Sequence, residues 1–75
     1  MPHVVVKFYP GRTPEQKQRL TDSLVKSITE SIGVGEETVS VDLVEIERDD
    51  WKSHVFDPEI APKLGTLAKE PGYTP

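Results

Sequence analysis

The chain has no cysteine. Disulfides and thiolate metal sites are therefore excluded as staples. It has no excess of positive charge. Nine Lys and Arg residues stand against thirteen Asp and Glu, for a formal net charge of −4. That balance leaves no electrostatic footprint for nucleic acid. An anionic ligand would have to be held by local cations against the global field. No apolar run approaches membrane-spanning length, and no basic segment followed by an apolar stretch opens the chain. These features lead us to expect a soluble, cytoplasmic protein with neither a nucleic acid nor a membrane as partner. Repeats, low-complexity tracts and an obvious linker are also lacking. The 75 residues are read as one domain, 1–75. A chain of this size buries only about 60–65% of its unfolded surface and is marginal on its own. Without staples, the remaining remedy is a partner chain.

What is present begins with "MPHVVVKFYP". From His3 to Tyr9 the residues alternate. Val4, Val6 and Phe8 take one face; His3, Val5, Lys7 and Tyr9 take the other. Pro2 is tolerated at a first strand position, where no ladder donor is needed. Pro10 and Gly11 then turn the chain. Thr13 fits a helix N-cap, Pro14 the first helical position, and Gln16 completes a capping box. Leu20, Leu24, Val25, Ile28 and Ile32 form the apolar stripe of this helix. Gly33 and Gly35 stop it.

Thr38 to Glu47 reads as a second strand, with Val39, Val41 and Leu43 on one face and Ser40, Asp42, Val44 and Ile46 on the other. Strand, crossover helix and strand predict a right-handed β-α-β unit with parallel strands. Two strands under one helix are not an independently stable sheet. The second face is also partly apolar, so we expect another subunit to complete or cover the sheet. The remainder is less regular. Asp50 could cap a turn starting at Trp51, and Asp57-Pro58 could start another. Ile60, Leu64 and Leu67 recur at helical spacing, with Pro62 interrupting. Pro71-Gly72 marks a final turn.

Pro2 carries the sharpest chemistry. At an edge-strand start it can be a bland residue. If Met1 is removed, however, it becomes a secondary amine fixed on a rigid strand end. Neighbouring cations and desolvation disfavour the ammonium form of such an amine. A neutral amine near neutral pH is suited to general-base work, and its conjugate acid can return the proton. Arg12, just before the helix, can hold a carboxylate in bidentate fashion; the alternative is a solvated loop arginine. Trp51, the only tryptophan, can supply an apolar wall or simply pack in a core. His3 and His54 are isolated, without paired ligand spacing, so no metal site is expected.

Taken together, Pro2 after Met1, the short strand, "GRTPEQKQ" leading into an amphipathic helix, and "SVDLVEI" resemble the 4-oxalocrotonate tautomerase family. Trp51, "EIAP" at 59–62 and "PGY" at 71–73 resemble its longer PptA-type branch. The resemblance spans essentially the whole chain and rests on the order and spacing of these pieces. It implies an α+β fold: a β-α-β protomer whose parallel strands dimerisation completes into a four-stranded sheet. It also implies a homodimer, with a trimer of dimers as the alternative. Met1 would be removed and Pro2 would be the catalytic acid–base of a cofactor-free isomerase. Arg12 would contact the carboxylate of a small-molecule substrate, and Trp51 would line the pocket. The best-known members carry a second arginine in the second strand, where this chain has Ser40. One arginine and an apolar wall suit a monocarboxylate such as an aryl enolpyruvate. Two other readings stay open. A hydratase or dehalogenase relative would use the same base to add water, with Glu45, Asp50 or His54 to activate it. A chain that keeps Met1 fits only a non-catalytic oligomeric binding protein.

Overall fold

The computed structural model describes residues 1–75, which form two compact units, Met1–Glu45 and Ile46–Pro75. The first unit runs β1 (His3–Phe8), α1 (Pro14–Ile32), a 3-10 turn (Glu36–Thr38) and β2 (Ser40–Glu45). The strands pair in parallel, in a register running from His3 opposite Ser40 to Phe8 opposite Glu45. This is the β-α-β arrangement expected from the strand and helix periodicities.

The helix begins where its cap dictates. Thr13 accepts from the Gln16 amide through Oγ1 (3.1 Å), and its own amide donates to Gln16 Oε1 (2.8 Å). Both bonds satisfy amides that otherwise lack a helical partner. At the other end Gly33 adopts φ 70°, ψ 41°, and its amide donates to the Thr29 carbonyl at 3.1 Å. A side chain is disfavoured in that left-handed region, so glycine ends the helix cleanly.

The second strand starts later than its composition suggests. Thr38 belongs to the 3-10 turn, because its amide and hydroxyl both donate to the Gly35 carbonyl, at 3.1 and 2.7 Å. The ladder therefore opens at Ser40. Its far end is also shorter than read: Phe8 opposite Glu45 closes it, leaving Tyr9 and Ile46 outside. Pro10 has no amide to extend the ladder, and it restricts the residue before it.

Helix α1 covers the face of the sheet that carries Val6 and Phe8, where Gln16, Lys17 and Leu20 line a common pocket with them. Leu20, Leu24, Val25 and Ile28 are only half-buried, and Ile32 is 63% exposed. Each thus gains less than the ~1.5–3 kcal/mol that complete burial of such a side chain contributes. On the opposite face Val5 is 47% exposed. The first unit contains no fully buried residue.

The second unit has a 3-10 turn (Arg48–Asp50), a π-helix (Lys52–Ile60) and a further 3-10 turn (Ala61–Lys63). Its Val55 and Phe56 are the buried core residues of the chain, at 4% and 8% exposure. Asp50 does not cap a helix here. It ends the turn capped by Glu47, donating its amide to the Glu47 carbonyl at 2.9 Å. Asp57-Pro58 does not start a helix either, since the π-helix runs through both. An α-helix would crowd the proline ring against the preceding turn. The wider turn, seen where the Ala61 amide donates to Phe56 five residues back, relieves that crowding. Helical spacing fails after Lys63, because Leu64 is extended (ψ 133°) and Gly65 takes φ 92°. No helix is long and apolar enough to cross a membrane.

Candidate active site

Pro2 sits at the entry to β1 and is half-buried. Its carbonyl accepts the Ser40 amide at 3.2 Å. The first bond of the parallel ladder therefore fixes the peptide unit next to the Pro2 nitrogen. Sequence position alone gave Pro2 a strand end; the register adds Ser40 as its neighbour across the sheet.

Ser40 stands directly opposite His3. In a parallel pair, opposed residues point to the same face. Their side chains meet, with His3 Nδ1 2.6 Å from Ser40 Oγ. His3 and Ser40 thus form a polar side-chain pair at the end of the sheet where both strands begin, and the Pro2 carbonyl is bonded to the Ser40 amide beside it.

Arg12 lies elsewhere. Gly11 takes φ 117°, a conformation that L-residues rarely adopt, and turns the chain from β1 toward α1. Arg12 follows, exposed, at the mouth of a pocket of about 300 Å³ lined by Val6, Phe8, Gln16, Lys17 and Leu20. Lys17 is committed to Glu45, with Nζ to Oε1 at 2.6 Å. Arg12 takes no part in that pair. The pocket therefore has apolar walls and an accessible guanidinium, a combination suited to a carboxylate that carries an apolar group. Pro2 is not part of it. Strand β1 separates the two: at roughly 3.3 Å per residue, the seven steps from Pro2 to Tyr9 span roughly 20 Å. Within one chain Pro2 and Arg12 are at opposite ends of β1.

Trp51 belongs to the second unit and is half-buried. Its Nε1 donates to Tyr73 Oη at 2.8 Å, and the Tyr73 ring is tilted 53° against Phe56 with centroids 5.9 Å apart. The hydrogen bond satisfies the indole N–H and pins the C-terminal segment to the tryptophan.

The sequence reading thus located four residues, of which the structure joins Pro2 and Ser40. It set His3 aside as an isolated histidine, since the contact with Ser40 depends on a register that no local pattern reveals. Tyr73 was visible only as part of "PGY". No group of three His, Asp or Glu side chains converges in metal-binding geometry.

Comparison with known proteins places this geometry in context. The family model described as "Tautomerase enzyme" matches residues 3–52. The chain is 47% identical over 74 residues to a tautomerase PptA of Cronobacter sakazakii, covering 97% of each. It is 40% identical over 75 residues to one from Pectobacterium carotovorum, covering 99% of each. Among solved structures it is similar to YwhB, a homologue of 4-oxalocrotonate tautomerase. That match has a TM-score of 0.63 and 38% identity, and covers 64% of this chain and 79% of that one. A second homologue, TTHB242, gives a TM-score of 0.64 and 35% identity, covering 68% and 81%. The chain belongs to the 4-oxalocrotonate tautomerase family, in its PptA-type branch, and is an enzyme of the isomerase class.

Proposed function

We propose that the protein is a cofactor-independent keto–enol tautomerase of enolpyruvate-like or unsaturated keto acids, with Met1 removed and Pro2 as general base and acid. The observation that carries this reading is the placement of Pro2. It heads a strand of a tautomerase-family chain, and the Ser40 amide holds its carbonyl at 3.2 Å. Removal of Met1 frees a secondary amine whose position the ladder already fixes. The neutral amine takes the proton from the enol hydroxyl of the substrate. The resulting ammonium returns a proton to carbon, and the ketone forms with no net change in the enzyme. Proton transfer by a positioned group of this kind contributes about 10²–10⁴ in rate.

Arg12 anchors the substrate carboxylate. The span of roughly 20 Å along β1 means that the anchor comes from a second protomer. The assembly is thus a homodimer at least, with sites shared between chains. The half-buried helix stripe and the exposed Val5 supply apolar surface for such an association. Trp51, oriented by Tyr73, contributes the apolar wall, and Ser40 stands where the best-known members carry a second arginine. A single cation with apolar surroundings selects a monocarboxylate, such as an aryl enolpyruvate, over a dicarboxylate. The test is ketonisation of an aryl enolpyruvate by the protein and by Pro2→Ala. The reading expects kcat to fall by about 10² or more in the variant while the fold is kept. Unchanged turnover would sink it.

A further inference from the structure

The His3–Ser40 contact has the form of an aimed donor. A serine hydroxyl has one hydrogen and two acceptor lone pairs, and it rotates freely unless a neighbour fixes it. Ser40 Oγ lies 2.6 Å from His3 Nδ1, a short contact between side chains that the strand register places opposite each other. The backbones on either side are tied by the Ser40 amide to the Pro2 carbonyl at 3.2 Å. Neither residue is free to drift away from the Pro2 end of the sheet. Both remain exposed, so a ligand at that end can reach them.

The direction of the hydrogen bond decides what Ser40 can do. If Nδ1 accepts, the serine hydrogen is spent on the imidazole and Oγ offers only lone pairs. If Nδ1 carries the hydrogen and donates, the serine hydrogen is left to point outward. Removing the enol proton builds negative charge on the substrate oxygen, and that charge calls for a donor. We infer that His3 is a positioning residue that donates from Nδ1 to Ser40 Oγ, and so aims the Ser40 hydroxyl at the oxygen of a keto or enol acid bound at the Pro2 nitrogen. This rests on the tautomerase reading above and deepens it. A neutral donor pair stands where other members present a cation. Neither His3 nor Ser40 gains or loses a proton in the cycle, because Pro2 alone carries the transferred proton. The pair makes its contribution in the transition state, so it acts on kcat more than on KM.

The test combines kinetics with spectroscopy on the full chain. His3→Phe and Ser40→Ala should each lower kcat for an aryl enolpyruvate about tenfold, roughly the rate equivalent of one neutral hydrogen bond, with KM little changed. The double variant should fall no further than either single one. His3→Asn, whose side-chain amide places a donor near the same point, should recover most of the loss. Nitrogen-15 NMR of the unmodified protein should show the Nδ1–H tautomer at His3, with a resonance that moves in Ser40→Ala. An unchanged kcat in His3→Phe, multiplicative losses in the double variant, or an Nε2–H tautomer would each overturn the inference. The NMR measurement needs no turnover, so it stands even where a variant folds poorly. Pro2→Ala separates the two layers. If it is inert while the His3 variants are normal, only the positioning role fails. If it is fully active, the tautomerase reading itself fails.

Discussion

Mixing two disabled variants tests whether the site is shared between chains. Take Pro2→Ala, which removes the base, and Arg12→Ala, which removes the anchor. Pro2 precedes β1 and Arg12 follows it, with a strand span of roughly 20 Å between the two ends. A substrate of one aromatic ring and a three-carbon acid does not bridge that distance. On the proposed reading, each active site takes Pro2 from one protomer and Arg12 from another. In a two-fold dimer the contact is reciprocal. A mixed dimer therefore holds one site with both groups intact and one with neither. Random exchange of equal amounts makes half of all dimers mixed, so about a quarter of the original sites return. Loss of the arginine–carboxylate bond, worth about 1.5–3 kcal/mol, lowers kcat/KM of the single variant roughly 10–150-fold. The restored quarter stands well above that background. The assay is ketonisation at low substrate concentration after subunit exchange, with native mass spectrometry to confirm the mixed species. Activity equal to the sum of the separate variants, despite confirmed exchange, would refute the shared site.

Further outcomes follow from contacts outside the reacting groups. Thr13→Ala removes the side-chain acceptor of the helix N-cap, and should cost about 1 kcal/mol in a urea melt. Gly33→Ala places a side chain at φ 70° and should destabilise the chain by about 1 kcal/mol, read in the same way. Tyr73→Phe keeps the ring beside Phe56 but deletes the acceptor of Trp51 Nε1. It should shift the emission of the single tryptophan and raise KM for an aromatic substrate, with little change in kcat.

The first unit was largely legible in its sequence because its signals are local. Alternation marks β1, and the Thr13, Pro14 and Gln16 triplet marks the start of α1. Gly33 marks its end. Those signals act within a few residues, where sequence and geometry are tightly coupled. The start of β2 was misplaced because Thr38 has high strand propensity but spends its hydroxyl on the Gly35 carbonyl, a local bond that competes with the ladder. The second unit was harder. Asp57-Pro58 looks like a helix start, yet the chain widens its turns and passes through it. The wider turn relieves the crowding of the Pro58 ring, and the same stretch buries Val55 and Phe56, a burial that no local pattern marks. Pro2, Arg12, Ser40 and Trp51 were identified as candidates because each residue type carries a distinct chemistry or fills a family position. Their mutual placement was not legible, since the distance from Pro2 to Arg12 and the meeting of His3 with Ser40 both depend on strand length and register.

The central claim is that a free Pro2 amine performs the chemistry. The most direct measurement compares two preparations of the same chain on an aryl enolpyruvate: one with Pro2 as the first residue, verified by intact mass, and one in which a residue that cannot be removed precedes it. The second keeps every side chain but turns the amine into an amide, which has no basic lone pair. The account predicts ketonisation by the first and a loss of at least about 10² in kcat by the second. Equal turnover by both would contradict it.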